Sequence, residues 1–89
     1  MKLVLCLQCD DVFKLADTVR TCECGECGGR YYDNGVDAEY WGETAIPLGF
    51  ANSTLMRAAD NQPHSGLGEE FTAFVIPVQC PTMKKVERP

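Results

Sequence analysis

The chain has 89 residues, 45% of them hydrophobic, and no apolar run near the roughly 20 residues of a membrane-spanning helix. It therefore reads as one small domain with no membrane span. Its net charge of −5 has the wrong sign for gaining affinity by neutralising nucleic-acid phosphates. A chain this short buries only about 60–65% of the surface it exposes when unfolded, so its core needs help, and six cysteines are the available staples.

Leu3 to Leu7 predicts a strand leading into Cys6 and Cys9. The run breaks at Gln8 and meets Asp10-Asp11, too short for the apolar core of a secretory signal. A cytoplasmic location is the expectation, and thiols kept reduced there favour metal over disulfides. Val12 to Leu15 predicts the strand leaving the first cysteine pair, and Ala16 to Thr21 a connection. Cys22 to Gly29 holds three cysteines and three glycines in eight residues, which suits tight turns and not a helix.

Arg30–Asp33, Asn34-Gly35 and Val36–Trp41 predict a hairpin closed by a two-residue type I′ turn. Thr44 to Phe50 is a further extended segment, and Pro47 points to an edge position or a bulge. Asn52 and Ser53 supply N-cap chemistry for a helix of about two turns. Leu55, Met56 and Ala59 share one of its faces, and it ends before Pro63. His64 to Gly68 is a loop. Phe71 to Val78 is apolar on both faces and predicts a core strand. From Pro81 the chain carries Lys84, Lys85 and Arg88 and reads as a loose tail.

The expected fold class is a small mainly-β (α+β) domain of β-hairpins plus one short helix. A cysteine-rich part spans 1–43, a strand-helix-strand part 44–80, and the tail 81–89. The first part carries nine acids and four bases, whereas the remainder carries four of each. All the excess negative charge therefore lies with the clustered cysteines.

Tetrahedral Zn2+ takes four thiolate or imidazole ligands, and two cysteines two residues apart can reach one ion from a tight turn. Cys6 with Cys9 and Cys24 with Cys27 are two such pairs, separated by residues 10–23. Cys22 is an alternative ligand, because on an extended backbone Cys22 and Cys24 face the same way and make a C-x-C pair. A redox role needs a lowered thiol pKa, and the neighbouring Asp10, Asp11, Glu23 and Glu26 act against that. The spacing does not separate zinc from iron. Cys80 reads as an ordinary thiol.

With these two pairs, residues 3–41 resemble the zinc-ribbon, rubredoxin-like group of domains. The resemblance implies C-x-x-C knuckles at hairpin tips sharing one structural zinc in a closed shell. Beyond the knuckles, Cys22-Glu23-Cys24-Gly25, Gly29-Arg30-Tyr31, Ala38-Glu39-Tyr40, Pro47–Ser53 and Phe71–Pro77 make the chain look like a group of small bacterial and phage proteins. That likeness implies a bacterial or phage-infected host cell and assigns no activity.

No phosphate-binding glycine loop, nucleophile elbow or H-E-x-x-H motif occurs, His64 lies alone, and no enzyme is expected. The leading expectation is a non-catalytic interaction or regulatory module, in a phage an inhibitor of a host system. A protein partner would contact Tyr32 and Trp41 on the hairpin, where one residue of each pair Tyr31-Tyr32 and Tyr40-Trp41 is expected to be exposed or half-exposed. A second expectation is a small anionic ligand or nucleotide held by Asn52, Ser53, Arg57 and Arg30, in a homo-oligomer. A nucleic-acid-binding ribbon is the third, and the charge disfavours it.

Overall fold

The computed structural model describes residues 1–88. The first apolar run forms β1 (Lys2–Cys6), which pairs antiparallel with β2 (Val12–Lys14) across the first cysteine turn. Then follow β3 (Arg20–Thr21), β4 (Gly28–Tyr31), β5 (Ala38–Trp41), β6 (Ala45–Phe50), α1 (Asn52–Asp60), β7 (Ala73–Val75) and β8 (Met83–Lys85). They form two four-stranded sheets, ordered β2-β1-β6-β7 and β3-β4-β5-β8. The result is the small mainly-β domain with one short helix that the sequence pattern implies. No helix among the described residues is long and apolar enough to cross a membrane.

The core lies between the sheets. Val4, Cys6 and Phe13 of the first sheet meet Ala38, Tyr40 and Met83 of the second, with Leu15 and Ile76 completing the cluster. Alternation along β1 places Val4 and Cys6 on this inner side. Lys2 also reaches across: its ammonium group donates to the carbonyls of Val36 and Thr82, and its amide donates to the Tyr31 hydroxyl at 3.0 Å.

The Asn34-Gly35 hairpin forms, but its turn differs from type I′. Gly35 has φ 68°, whereas Asn34 stays out of the left-handed region. The Gly35 amide closes the turn on the Tyr32 carbonyl at 2.9 Å. Asn34 Oδ1 accepts the amides of Val36 and Asp37 at 3.0 and 2.9 Å, which holds a wider loop that needs only one left-handed residue.

Pro47 lies in β6, a strand flanked by β1 and β7, and not at a sheet edge. The Ile76 amide bonds the Pro47 carbonyl at 2.9 Å, so Pro47 turns its nitrogen toward the β7 side. There the last full ladder pair is Leu48 with Val75, and beyond it only the Ile76–Pro47 bond forms. The missing N–H therefore falls where no ladder bond is needed.

The C-terminal third differs most from its pattern. Residues 73–75 are exposed, because β7 is the edge strand of its sheet; only Ile76 of the apolar run reaches the core. The expected loose tail instead contributes β8, which runs parallel to β5 and buries Met83 completely. Pro89, the last residue of that tail, lies outside the described residues. The helix is capped at Ala51 with no side-chain cap bond, so Asn52 and Ser53 sit in the first turn. Asn52 instead accepts from the Met1 amino group at 2.7 Å.

Candidate metal centre

Two hairpin tips build the cluster, one from each sheet. The first is the turn joining β1 to β2. The Cys6 amide bonds the Asp11 carbonyl at 2.9 Å, the Asp10 amide bonds the Cys6 carbonyl at 2.8 Å, and Asp10 takes φ 63°, a left-handed position that Asp tolerates. The second joins β3 to β4 in the same manner. The Cys22 amide bonds the Cys27 carbonyl at 2.9 Å, the Gly25 amide bonds the Cys22 carbonyl at 3.1 Å, and Gly25 takes φ 81°. Both tips therefore begin with a buried cysteine whose amide is tied five residues ahead.

The structure brings Cys6, Cys9, Cys22 and Cys24 together, with all four Sγ atoms within 4.8 Å of one another. The Cys22–Cys24 and Cys6–Cys24 separations are 3.5 and 3.8 Å. Four sulfurs about 2.3 Å from one tetrahedral ion stand about 3.8 Å apart, so the donor set fits a single tetrahedral metal ion. The pairing formed is the C-x-C alternative, Cys22 with Cys24, and Cys27 lies outside the group. The reason is local: the tight turn at Cys22–Gly25 folds Cys24 toward the first tip, while Cys27 already stands next to β4 and is buried in the core.

The surrounding donors favour thiolate. Burial pushes the Cys6 thiol up, but hydrogen bonds from the Cys9 amide, the Thr44 hydroxyl and the Gln8 amide outweigh it and bring the pKa down to about 6. Burial likewise opposes ionisation of Cys22, and the Cys27 amide, 3.3 Å from its sulfur, turns the balance the other way. Cys24 has a helpful amide from Glu26, yet desolvation and the adjacent Cys22, Cys9 and Cys6 push it up to about 12. Burial holds Cys27 up at about 11. Four thiolates this close cannot all ionise unaided, and a cation that displaces their protons resolves the conflict.

Two further residues belong to the site and were not legible in its motif. Thr44, just before β6, has Oγ1 3.6 Å from Cys6 Sγ and 3.4 Å from Cys27 Sγ. Asp11 accepts the Glu23 amide at 3.0 Å and so ties one tip to the other. Thr44 is remote in sequence from both tips and carries no signal of its role. Asp11 follows the first pair directly, but an acid there reads equally well as a solvated charge.

The other candidate residues are not assembled into a site. Arg30 is engaged by Glu39 at 2.8 Å, with Tyr32 donating to the same carboxylate at 3.2 Å. Arg57 pairs with Glu69 at 2.9 Å, and Asn52 and Ser53 are exposed on the first turn of α1. Trp41 and Tyr40 are both buried, at 3% and 2% exposure, against the expectation that one of them faces solvent. The cause is Gly28, which pairs with Trp41: a Cβ there would stand 2.5 Å from the indole, so the ring lies flat over bare backbone. Tyr31 and Tyr32 are half-buried. Comparison with protein families, with curated proteins and with solved structures finds no match to this chain.

Proposed function

We propose that the Cys6–Cys9–Cys22–Cys24 cluster holds one structural Zn2+ and that the chain is a non-catalytic module acting through its surface. The observation that carries this reading is the convergence of four sulfurs, from two hairpin tips on two different sheets, at the spacing of a tetrahedral thiolate shell. An ion there takes all four positions from protein and leaves none for a substrate. What it supplies is a clamp: the tip of the first sheet is fixed to the tip of the second, beside the core that both sheets share.

The N–H···S bonds to Cys6 and Cys22 support the same assignment, since such donors stabilise thiolate and orient it for a metal. The buried Trp41 moves any contact surface away from the hairpin, and the exposed apolar residues of the C-terminal third take its place. The test is metal analysis of the native protein. One zinc per chain, with a tetrathiolate charge-transfer spectrum after cobalt exchange, is the expected result. A metal-free protein that melts at the same temperature with and without added zinc would refute it.

A further inference from the structure

The strand that the sequence pattern sends to the core stands instead at an open edge. β7 bonds β6 on one side only. Its orientation is fixed by two flanking bonds: the Ala51 amide donates to the Thr72 carbonyl at 2.9 Å, and the Ile76 amide donates to the Pro47 carbonyl at 2.9 Å. Thr72, Phe74 and Ile76 thus direct their backbone groups inward to β6 or its continuation. Ala73 and Val75 direct theirs outward, where no strand among the described residues receives them.

Of the devices that blunt edge strands in monomers, β7 has its short length of three residues. No charge or proline falls within Ala73–Val75, and Pro77 comes only afterwards. The side chains are apolar and wet: Phe71 is 39% exposed, Phe74 52%, Val75 64% and Val78 83%. Phe71 and Val75 lie on one face of the strand and Phe74 on the other, with Ile76, so the wet apolar surface flanks the open edge on both sides.

We infer that β7 pairs antiparallel with β7 of a second copy about a two-fold axis at Phe74, joining the two β2-β1-β6-β7 sheets into one of eight strands. Charge selects this occupant. Residues 71–83 contain no charged side chain, while residues 1–43 of each copy carry a net −5. An acidic or a basic partner finds nothing to pair with on this strand, and two copies can meet here without like charges facing.

The geometry is self-complementary. Ala73 of one copy lies opposite Val75 of the other, and each such pair exchanges two backbone bonds, giving four across the axis. The two Phe74 residues become the non-hydrogen-bonded pair at the axis, each ring leaning back over Gly49 of its own β6. Pro77 stops the ladder from extending further. The contact is one short edge on each copy, smaller than a specific stable interface, so the association is weak and depends on concentration. The inference concerns a strand outside the metal centre and stands whichever metal the cluster holds.

Sedimentation equilibrium on the full chain tests it. The expected mass rises from 9.8 kDa toward twice that value as concentration is raised. Val75→Lys puts a charge opposite a charge-free edge and is expected to stay at single-chain mass at concentrations twenty-fold above the wild-type midpoint. Its metal content, and its melting curve at concentrations below the wild-type midpoint, should be unchanged, which separates loss of pairing from loss of fold. Ala73→Pro deletes one outward amide while leaving the apolar surface intact, and the same loss is expected. Slow hydrogen exchange at the Ala73 and Val75 amides should appear only at dimer concentrations. A wild type of single-chain mass throughout, or a Val75→Lys and Ala73→Pro pair that both double like wild type, overturns the inference.

Discussion

Replacing single cysteines by serine distinguishes the two ligand sets that the sequence permits. Structural zinc in small thiolate sites is held by about 10–16 kcal/mol at neutral pH, so each of four sulfurs accounts for ~3–4 kcal/mol. At 1.4 kcal/mol per decade, loss of a true ligand weakens zinc binding about 10²- to 10³-fold. The structure assigns that loss to Cys24→Ser and to Cys9→Ser, whose sulfurs belong to the cluster. Cys27→Ser keeps the backbone amide that donates to Cys22 Sγ and removes a sulfur outside the group, so its zinc affinity should stay within a few-fold of wild type. Competition against a chromophoric chelator reads all three. If Cys27→Ser loses zinc as heavily as Cys24→Ser, the C-x-C assignment is wrong and the Cys24–Cys27 pair is the ligand.

Thr44→Val removes the hydroxyl beside Cys6 and Cys27 and should weaken zinc about 10- to 100-fold in the same competition, as loss of a supporting bond does. With its pKa pushed up to about 12, Cys24 is a thiol throughout pH 6–8 and must release a proton to bind metal. Zinc affinity should therefore rise at least ten-fold per pH unit over that window, and a flat profile would show that Cys24 is not a ligand. Gly28→Ala drives a methyl into the buried Trp41 indole and should destabilise by about 1–3 kcal/mol in urea. Gly49→Ala meets Phe74, whose ring is half in solvent and can swing aside, so its effect should be smaller. Cys80, lowered by the Thr82 side chain and backbone amide and partly accessible, should be the first thiol alkylated in the metal-loaded protein. Peptide mapping should find Cys27, buried in the core, among the last.

What the sequence reveals here is what neighbours in sequence decide. β1, β2, the hairpin and α1 all follow from short-range patterns, and the two cysteine tips announce themselves by spacing. The pairing inside the second tip does not, because C-x-x-C and C-x-C overlap at Cys22–Cys27 and only the Cys22–Gly25 turn chooses between them. The burial of Trp41 depends on Gly28, which is its cross-strand partner and reads in isolation as one more turn glycine. Pro47 signals an edge correctly in one respect, since the strand beside it ends there, but the other side of β6 is fully paired. The strands misread most, β7 and β8, are those whose environment is set by distant segments. An apolar strand cannot report whether its neighbour is the rest of the chain or another molecule.

The placement of β8 has a kinetic side. The two cysteine tips are joined by positions only 13 apart, Cys9 and Cys22, whereas the parallel pair Tyr40–Lys85 spans 45 and the β1–β6 pair Lys2–Gly49 spans 47. Short closures form first, and pairings at long separation form late and set the rate. On the proposed zinc assignment, a chain given the ion clamps its two tips while the layer between the sheets still lacks Met83, the side chain that fills its interior from the far end of the sequence. Weakening β8 should leave a partly ordered, zinc-holding species, whereas withholding zinc removes the starting point itself. Assembly of this small domain would then start at the cysteines, with the distant pairings of β1 to β6 and of β5 to β8 both closing later.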